Sequence, residues 1–169
     1  MAENHAVEKA PYRWDLKVAA EADVEPALEQ LADQMNEEQR QSLRDKLQRY
    51  VQKPDRDLIL AVRGPQVLGL LCVIDQAEFP PGFSVQNMDY LKDFASVTQL
   101  LVRPSFRRQG IGGSLLAHAE AWARKRGLAG FWIITHRMAG WYEKNFGYQQ
   151  IARIEVKGVG KAVMAKEFA

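Results

Sequence analysis

The feature that most constrains the fold is a junction that leads from a β-strand through a glycine turn into a helix. Residues 97–116 read VTQLLVRPSFRRQGIGGSLL, in which an apolar, β-prone run stops at Pro104 and an amphipathic helix begins near Gly112. Such a junction directs free backbone N–H groups and the positive end of the helix dipole at one point. Because Gly110, Gly112 and Gly113 have no Cβ, a phosphate can approach the main chain closely. The junction therefore predicts an anion-binding turn.

The charge distribution favours the same interpretation. Residues 103–126 contain six Arg or Lys and one Glu, a net charge of +5, whereas the whole chain carries +2. The remainder of the chain therefore sums to −3. We expect the cationic charge to be concentrated where the anion binds.

Motif spacing narrows the identity of the anion. A phosphate loop of the G-x-x-x-x-G-K-[ST] type is absent, and a dinucleotide fingerprint starting at Gly110 would need glycine where the chain has Leu115. The chain has instead Arg107-x-x-Gly110-x-Gly112, directly after a strand that ends at Val102. In this context the motif resembles the pyrophosphate-binding motif of the GNAT superfamily of acyl-CoA N-acyltransferases. The alternative is a solvated basic turn that caps an ordinary helix.

Apolar periodicity and turn residues predict an alternating order of strands and helices along the chain. Asp23 is the predicted cap of the first helix, and Asn36 with Gln39 forms a predicted capping box for the second. Residues 75–94 show no period and are predicted to be a long loop. The predicted strands span residues 12–19, 58–62, 67–74, 95–102, 131–135, 148–157 and 161–168. The predicted later helices span residues 36–50, 112–126 and 136–146.

This order matches the resemblance over nearly the whole chain. The resemblance implies an α/β fold with a central, mostly antiparallel sheet of about seven strands, flanked by about four helices. It also implies that two parallel strands, here residues 95–102 and 131–135, splay apart to admit the thioester arm of the cofactor. The arm would pair with the main chain of the first of these strands. The implied cofactor-binding residues are Leu100, Leu101, Val102, Arg107, Arg108, Gln109, Gly110, Ile111, Gly112, Gly113 and Ser114.

The resemblance also points to Tyr142 as the catalytic residue. The segment MAGWYEKNFGY at residues 138–148 is similar to a family helix whose tyrosine protonates the sulfur of coenzyme A. Two features depart from the pattern, because Gly147 follows Tyr142 by five residues instead of four and His136 replaces an asparagine. The additional residue is accommodated by a bulge after the helix, or it rotates Tyr142 away and promotes Trp141 or Tyr148. As the alternative, Tyr142 is a half-buried aromatic residue with a structural role.

The remaining catalytic roles are less constrained by the sequence. The backbone N–H of Val102 is the expected oxyanion donor. Asp89 and Asp93, in or beside the long loop, are candidate contacts for a cationic acceptor. The three histidines have no ligand spacing and no G-x-S-x-G string is present, so neither a metal site nor serine-hydrolase chemistry is predicted.

Length and composition favour one domain. The chain has 169 residues, 47% of them apolar, and a polar start, so we expect a loose tail over residues 1–11 and a single domain over 12–169. No apolar run approaches the roughly 20 residues of a membrane span, and no signal-peptide core is present. Cys72, the single cysteine, lies in an apolar run and is expected to be buried. These features favour a cytoplasmic protein with no membrane or nucleic-acid partner.

The sequence thus predicts an N-acetyltransferase that uses acetyl-CoA and requires no metal. The acetyl group would pass to a primary amine by direct attack in a ternary complex, with no covalent enzyme intermediate. Alternatives are a non-catalytic acyl-CoA-binding regulatory or interaction module, a longer acyl group or a hydroxyl acceptor, a site for another nucleotide, and an RNA-binding turn. Since the superfamily commonly pairs through its C-terminal strands, a homodimer is one expected state.

Overall fold

Seven strands form one mixed sheet in the computed structural model, which describes residues 13–75 and 88–168. The strands are β1 (Asp15–Val18), β2 (Arg56–Arg63), β3 (Gln66–Ile74), β4 (Phe94–Val102), β5 (Gly130–Thr135), β6 (Gln149–Val156) and β7 (Val159–Glu167). Their order across the sheet is β1-β2-β3-β4-β5-β7-β6. Among these neighbours only β4 and β5 run parallel, and the other pairs are antiparallel. The predicted fold class is confirmed.

Within the described ranges, four α-helices cover the two faces of this sheet. The helices are α1 (Val24–Leu31), α2 (Glu37–Gln52), α3 (Ile111–Lys125) and α4 (Ala139–Phe146). Buried residues of α1 and α2 share one apolar cluster, and those of α3 and α4 share another on the opposite face.

Strand β2 shows how the sequence builds both cores. Leu58 and Leu60 face α1 and α2, whereas Ile59 and Ala61 face α3 and α4, as the two-residue period of a strand requires. All four side chains are at most 1% exposed. A strand buried on both faces reads as a continuous apolar run, and each of its large side chains stabilises the fold by about 1.5–3 kcal/mol.

Strands β4 and β5 part halfway along β4. Their pairing runs from Phe94 opposite Gly130 to Val97 opposite Ile133, but β4 continues to Val102. On its other side β4 has a bulge, since β3 pairs with Val97 and then with Gln99, and Thr98 is left over. The carboxyl-terminal half of β4 therefore presents an unpaired edge inside the sheet, which is the predicted splay.

Two helix starts differ from the prediction. Helix α3 begins at Ile111 because Gly110, with φ of +92°, is its N-cap. Helix α4 begins at Ala139 and not at His136. The reason is local, because the Thr135 hydroxyl accepts a hydrogen bond from the Met138 N–H at 3.0 Å and so fixes the turn that precedes the helix.

The caps of the first two helices have different outcomes. Asn36 and Gln39 form the predicted capping box at the start of α2, with the Gln39 N–H donating to Asn36 at 2.8 Å. Asp23 does not cap α1. Its carboxylate accepts instead from the Ala20 N–H and from Lys17, each at 2.8 Å, and holds the 3₁₀ turn that precedes α1.

Part of the predicted architecture falls outside the described residues. This holds for the tail over residues 1–11 and for most of the long loop over 75–94. The end of that loop is described and forms a 3₁₀ turn over Met88–Asp93, which leads directly into β4. This turn contacts the amino end of β4, away from the point where the strands part.

Candidate active site

The turn before α3 holds six consecutive backbone amides that have no hydrogen-bond partner among the described residues. The N–H before this run, that of Arg107, donates to Pro104 O at 3.4 Å, and the N–H after it, that of Ser114, donates to Gly110 O at 3.0 Å. Between them, the amides of residues 108–113 are free of described acceptors. Arg108 has φ of +64° and Gly110 has φ of +92°, so the chain curls into a left-handed conformation twice. Such a curl beside a helix N-terminus forms a concavity suited to an anion.

The sequence suggested that all three glycines of this turn let a phosphate approach the main chain, but their surroundings differ. A Cβ on Gly112 would lie 3.5 Å from the ring of Trp141, and one on Gly113 would lie 3.1 Å from that of Phe146. Only the missing side chain of Gly113 is therefore needed for α4 to pack against the start of α3, because 3.5 Å is an ordinary van der Waals distance. Only Gly110 is required for its backbone conformation, because its positive φ strains any residue with a Cβ.

Two side-chain contacts brace the turn, and a third side chain there is buried without a described partner. Arg107 Nε donates to Val102 O at 3.2 Å, which ties the turn to the end of β4. The Ser114 hydroxyl accepts from the Trp14 indole at 3.2 Å. Gln109 Oε1 is buried, and no described group donates to it.

The expectation that all the cationic charge of residues 103–126 lies at one place is wrong. Arg103, Arg107 and Arg108 lie at the turn, but the other three cations lie at the far end of α3, about 22 Å away along a 15-residue helix. There Arg124 stacks on the Phe168 ring at 4.3 Å, and Arg126 pairs with Asp75 at 3.1 Å. Charge counted along the sequence overstated the local potential because a helix separates its two ends.

The unpaired edge of β4 lies next to this turn. Arg103 N donates to Leu68 O at 2.8 Å, and β3 and β4 are antiparallel here, so the polar groups of Leu101 also point toward β3. By the same alternation the amides of Leu100 and Val102 point the other way, into the gap that β5 leaves. Of the three residues of β4 predicted to bind the cofactor, Leu100 and Val102 direct backbone groups toward the gap, whereas Leu101 directs its own toward β3.

Tyr142 lies on α4 with its ring buried and its hydroxyl available. The residue is 5% exposed, and its ring meets those of Trp141 and Tyr148 edge to face, with centroids 5.0 and 5.6 Å apart. No described residue forms a hydrogen bond with its hydroxyl. Burial raises the pKa of Tyr142 to about 12, so the phenol keeps its proton at neutral pH.

The additional residue between Tyr142 and Gly147 lies within α4, and a bulge follows the helix at Ile151 of β6, where the pairing with β7 passes from Gln150 to Ala152. The helix runs on to Phe146, and Gly147 ends it with φ of +74° and its N–H bonded to Tyr142 O. The Tyr148 N–H also donates to Tyr142 O, at 3.3 Å. Phe146 packs on Trp141, with ring centroids 4.7 Å apart, and on Gly113. The longer helix thus adds an aromatic contact to α3 and leaves Tyr142 in the core.

A buried polar cluster beside Tyr142 was not recognised from the sequence. Glu120 of α3 is 8% exposed, accepts from the Tyr148 hydroxyl at 3.1 Å and pairs with Lys166 at 3.0 Å. Burial, followed by the charge of Glu120, raises the pKa of Tyr148. Glu120 lies on α3, Tyr148 directly precedes β6, and Lys166 lies on β7. The only sign of this cluster in the sequence was a single acidic residue on the apolar side of α3.

Helix α2 is fastened to the bulge of β4. Lys46 Nζ donates to Thr98 O at 2.7 Å and to Gln99 Oε1 at 3.3 Å. The hydroxyls of Tyr50 and Thr98 share a hydrogen bond of 2.5 Å. Because Thr98 is the extra residue of the bulge, Thr98 and Gln99 both face α2 although they are adjacent in the chain. The sequence pattern contained no sign of this contact.

The other predicted residues lie at opposite ends of the parallel strand pair, His136 after the carboxyl end of β5 and Asp93 before the amino end of β4. His136 is exposed, and its Nδ1 lies 3.1 Å from Gly160 O, so it links the end of β5 to β7. Asp93 is exposed at the amino end of β4, and its carbonyl accepts from the Ala129 N–H at 2.8 Å. The side chain of Asp89 lies outside the described part. A role for Asp89 and Asp93 stays a prediction.

Two kinds of site are absent from the described residues. Across residues 13–75 and 88–168, no group of three or more His, Cys, Asp and Glu is arranged to hold a metal ion. In the same ranges, no helix is both long and apolar enough to cross a bilayer.

Comparison with solved structures finds the same fold in several acetyltransferases. The PaiA N-acetyltransferase of Thermoplasma acidophilum, in complex with coenzyme A, is 18% identical, and the match covers 93% of this chain and 100% of that one with a TM-score of 0.68. The ribosomal-protein-S18-alanine N-acetyltransferase of Escherichia coli is 14% identical over 92% and 94% of the two chains, with a TM-score of 0.66. An aminoglycoside antibiotic 6'-N-acetyltransferase of Acinetobacter haemolyticus is 19% identical over 84% and 95%, with a TM-score of 0.65.

Sequence comparison identifies the family directly. Among curated proteins no sequence matches the chain. The profile of the acetyltransferase (GNAT) family matches residues 24–148, which include the glycine turn, the unpaired edge of β4 and Tyr142. The chain therefore belongs to the acetyltransferase (GNAT) family, and this confirms the enzyme class predicted from the sequence, an N-acetyltransferase that takes acetyl-CoA as its donor.

Proposed function

We propose that the protein transfers the acetyl group of acetyl-CoA to a primary amine by direct attack within a ternary complex. The observation that carries this proposal is the run of partnerless amides over residues 108–113, which opens beside the unpaired edge of β4. Together they match the two ends of one ligand, because coenzyme A has a diphosphate at one end of an extended arm and a thiol at the other.

The donor would be held mainly by backbone groups. The diphosphate binds the amides of residues 108–113 and the dipole of α3, and the exposed guanidinium groups of Arg107 and Arg108 add charge. The pantetheine amides pair with Leu100 and Val102, which replaces the strand neighbour that β4 lacks beyond Val97. Most of these contacts are made by main chain, so substitutions of side chains there change donor affinity less than a change of backbone geometry does.

The chemistry then takes place at the end of the arm. The amine nitrogen attacks the thioester carbonyl, and the oxyanion that forms accepts a hydrogen bond from the Leu100 N–H, because Val102 adjoins the turn that holds the diphosphate at the other end of the arm. When the C–S bond breaks, the Tyr142 hydroxyl donates its proton to the departing thiolate; the nitrogen releases a proton to solvent, and Tyr142 regains one from solvent. Free thiols have a pKa near 8.5, so this leaving group needs only modest assistance.

The acceptor is not determined by the fold. The structural neighbours named above include one protein described for an alanine of a ribosomal protein and one for aminoglycosides, although their folds match this one. Acceptor choice therefore depends on side chains of the individual protein.

Calorimetry with coenzyme A tests the donor site, and a pair of glycine variants localises it. We expect the parent protein to bind, and Gly110→Asp to lose at least about ten-fold in affinity because a carboxylate then faces the diphosphate. Gly127→Asp is the matched control. It has φ of +73°, no atom within 4 Å of its Cβ position, and lies at the opposite end of α3, so it should bind as the parent does.

A second measurement separates catalysis from binding alone. Acetyl-CoA is incubated with a panel of primary amines, and released thiol is followed. Acetylation of an amine supports the proposal. Binding of coenzyme A without turnover on any amine would support a regulatory acyl-CoA-binding module, and no heat with coenzyme A would refute both.

A further inference from the structure

A cavity of about 500 Å³ lies between α2 and the bulged part of β4. Its wall includes Met35, Glu38, Leu43, Lys46, Arg49 and Gln99. Gln99 belongs to the segment of β4 that has lost its pairing with β5, so the cavity adjoins the edge along which the acyl arm is proposed to lie. The volume is that of a small-molecule site.

The ammonium of Lys46 belongs to the wall of this cavity and is held there by β4. Two of its three hydrogens are directed to Thr98 O and Gln99 Oε1, at 2.7 and 3.3 Å. The third donor has no described acceptor. Burial lowers the pKa of Lys46, and the neighbouring Arg49 lowers it further, so the two cations are close enough to repel each other.

The charge of the wall is predominantly positive. Neither Lys46 nor Arg49 forms an ion pair with any residue in 13–75 or 88–168, and the one carboxylate of the wall, Glu38, lies two helical turns from Lys46, about 12 Å along α2. An amine without an acid group is a cation at neutral pH and is repelled by such a pair. An acceptor that carries an acid group is attracted.

We propose that this cavity is the acceptor site, and that Lys46 and Arg49 select a free amino acid by binding its carboxylate; this inference rests on the proposed function. With the carboxylate at Lys46, the amine on the adjacent carbon lies beside Gln99 and faces the gap. The amine forms a bond to the acetyl carbon, the C–S bond breaks, and coenzyme A leaves with a proton on sulfur while the nitrogen loses one. The product is an N-acetyl amino acid.

Matched acceptor pairs test the carboxylate directly. The pairs are L-leucine with isoamylamine, L-phenylalanine with phenethylamine, and L-lysine with cadaverine, together with leucinamide and a peptide that has a leucine N-terminus. We expect kcat/KM to favour the amino acid in each pair by at least about ten-fold, because a charged hydrogen bond is lost with the carboxylate. Equal or better use of the amines, of leucinamide or of the peptide overturns the inference.

Substitutions then locate the preference. Arg49→Gln and Lys46→Gln should each raise KM for the amino acid several-fold, change kcat less, and reduce the discrimination within a pair. Arg49 is the decisive position because no described contact joins it to β4, whereas Lys46 also supports the bulge. Lys53→Gln, which removes an exposed cation just after α2, is the control and should change neither constant.

The outcomes separate the two proposals. Amine acetylation without a preference for the carboxylate, or a preference that survives in both variants, overturns the amino-acid site and leaves the acetyltransferase function intact. The role predicted for Asp89 and Asp93, binding a cationic acceptor, would then be favoured. Failure to acetylate any amine overturns the proposed function and this inference with it.

Discussion

Tyr142 combines a buried ring with a hydroxyl that no described residue engages. Buried phenols normally find a hydrogen-bond partner. The ring is held by aromatic neighbours on two sides, so its orientation does not depend on such a bond. This is the arrangement expected of a proton donor whose partner is a substrate atom.

We expect Tyr142→Phe to lower kcat about 10²-fold while the affinity for coenzyme A changes little, since the lost interaction forms only as sulfur gains charge. Because burial raises the pKa of Tyr142 to about 12, the donor stays protonated over the usual assay range. The pH–rate profiles of parent and variant should therefore have the same shape between about pH 6 and 10. Unchanged turnover in the variant removes the assignment.

Cys72 is a second residue whose environment can be tested. It is fully buried in β3, and burial raises the pKa of its thiol from 9.0 to about 12. The unfolded chain loses this proton near pH 9 and the folded chain retains it. Stability gained from the neutral thiol is therefore complete below pH 9 and decreases as the pH rises toward 12.

Urea unfolding of the parent and of Cys72→Ala measures this effect. Between pH 9 and 11 the free energy of unfolding of the parent should fall more steeply than that of the variant, by up to about 1.4 kcal/mol per pH unit. In the native state the thiol should not react with an aromatic disulfide reagent, so it gives no background in an assay of released coenzyme A. Parallel pH dependences would show that Cys72 is accessible to water.

At the level of elements, the packing of α4 on α3 determines where Tyr142 lies. Gly113 meets Phe146 so closely that a Cβ would lie 3.1 Å from the ring, whereas Gly140 on α4 has open space around it. We expect Gly113→Ala to separate the two helices and lower both stability and kcat. Gly140→Ala should instead stabilise α4 by up to about 1 kcal/mol, because alanine is the better helix former.

Thermal unfolding and steady-state kinetics of both variants check this prediction. Gly140→Ala adds the same methyl group to the same helix pair, so it controls for the substitution itself. A Gly113→Ala protein as stable and as active as the parent would mean that the contact with Phe146 yields without moving α4.

The elements that sequence could predict are those specified by neighbouring residues. The strand–turn–helix junction, the capping box at Asn36 and the order of strands all follow from local patterns, and the splay followed from the family resemblance. The bulge at Thr98 could not be predicted, because it depends on how β3 and α2 meet β4. Tyr148 and Lys166 follow Glu120 in the chain by 28 and 46 residues, respectively. The three residues meet only after the sheet has formed.

For the whole molecule, the β4–β5 pair is a short connection in the middle of the sheet. Four register pairs join β1–β4 to β5–β7, as many as join the edge strand β1 to β2, whereas eight join β2 to β3. A donor lying in the gap would bridge both parts of the sheet. Because β4 and β5 are not paired beyond Val97, a ligand bound there would connect the two parts of the sheet in place of strand pairing.

We therefore expect coenzyme A to raise the melting temperature by several degrees, since ligand at 100 times Kd contributes about 2.7 kcal/mol. Hydrogen exchange should slow at Leu100 and Val102, and at residues 108–113, on addition of the ligand. Gly110→Asp should show a smaller shift than Gly127→Asp at the same ligand concentration. Slower exchange confined to the turn would mean that the arm does not occupy the gap.

The state of assembly is a separate property of the whole molecule, and the homodimer expected from the resemblance stays a prediction. Strand β6 forms one edge of the sheet and carries exposed charges at Arg153 and Glu155, which disfavour indiscriminate pairing along that edge. Light scattering of the purified protein measures the mass in solution.

The extra residue of the bulge in β4, Thr98, limits where the chain can tolerate an insertion or a deletion. Side chains of Ala95 and Val97 enter the core under α3, and those of Leu100 and Val102 enter it too, because Thr98 resets the alternation between them. Removing Thr98 would reverse the direction of every later side chain of β4. Leu100 and Val102 would then point toward α1 and α2, and Leu101 would point toward α3. We therefore expect insertions and deletions to be far more damaging here than at Gly64 of the β2–β3 hairpin, which is exposed and has open space around its Cβ position.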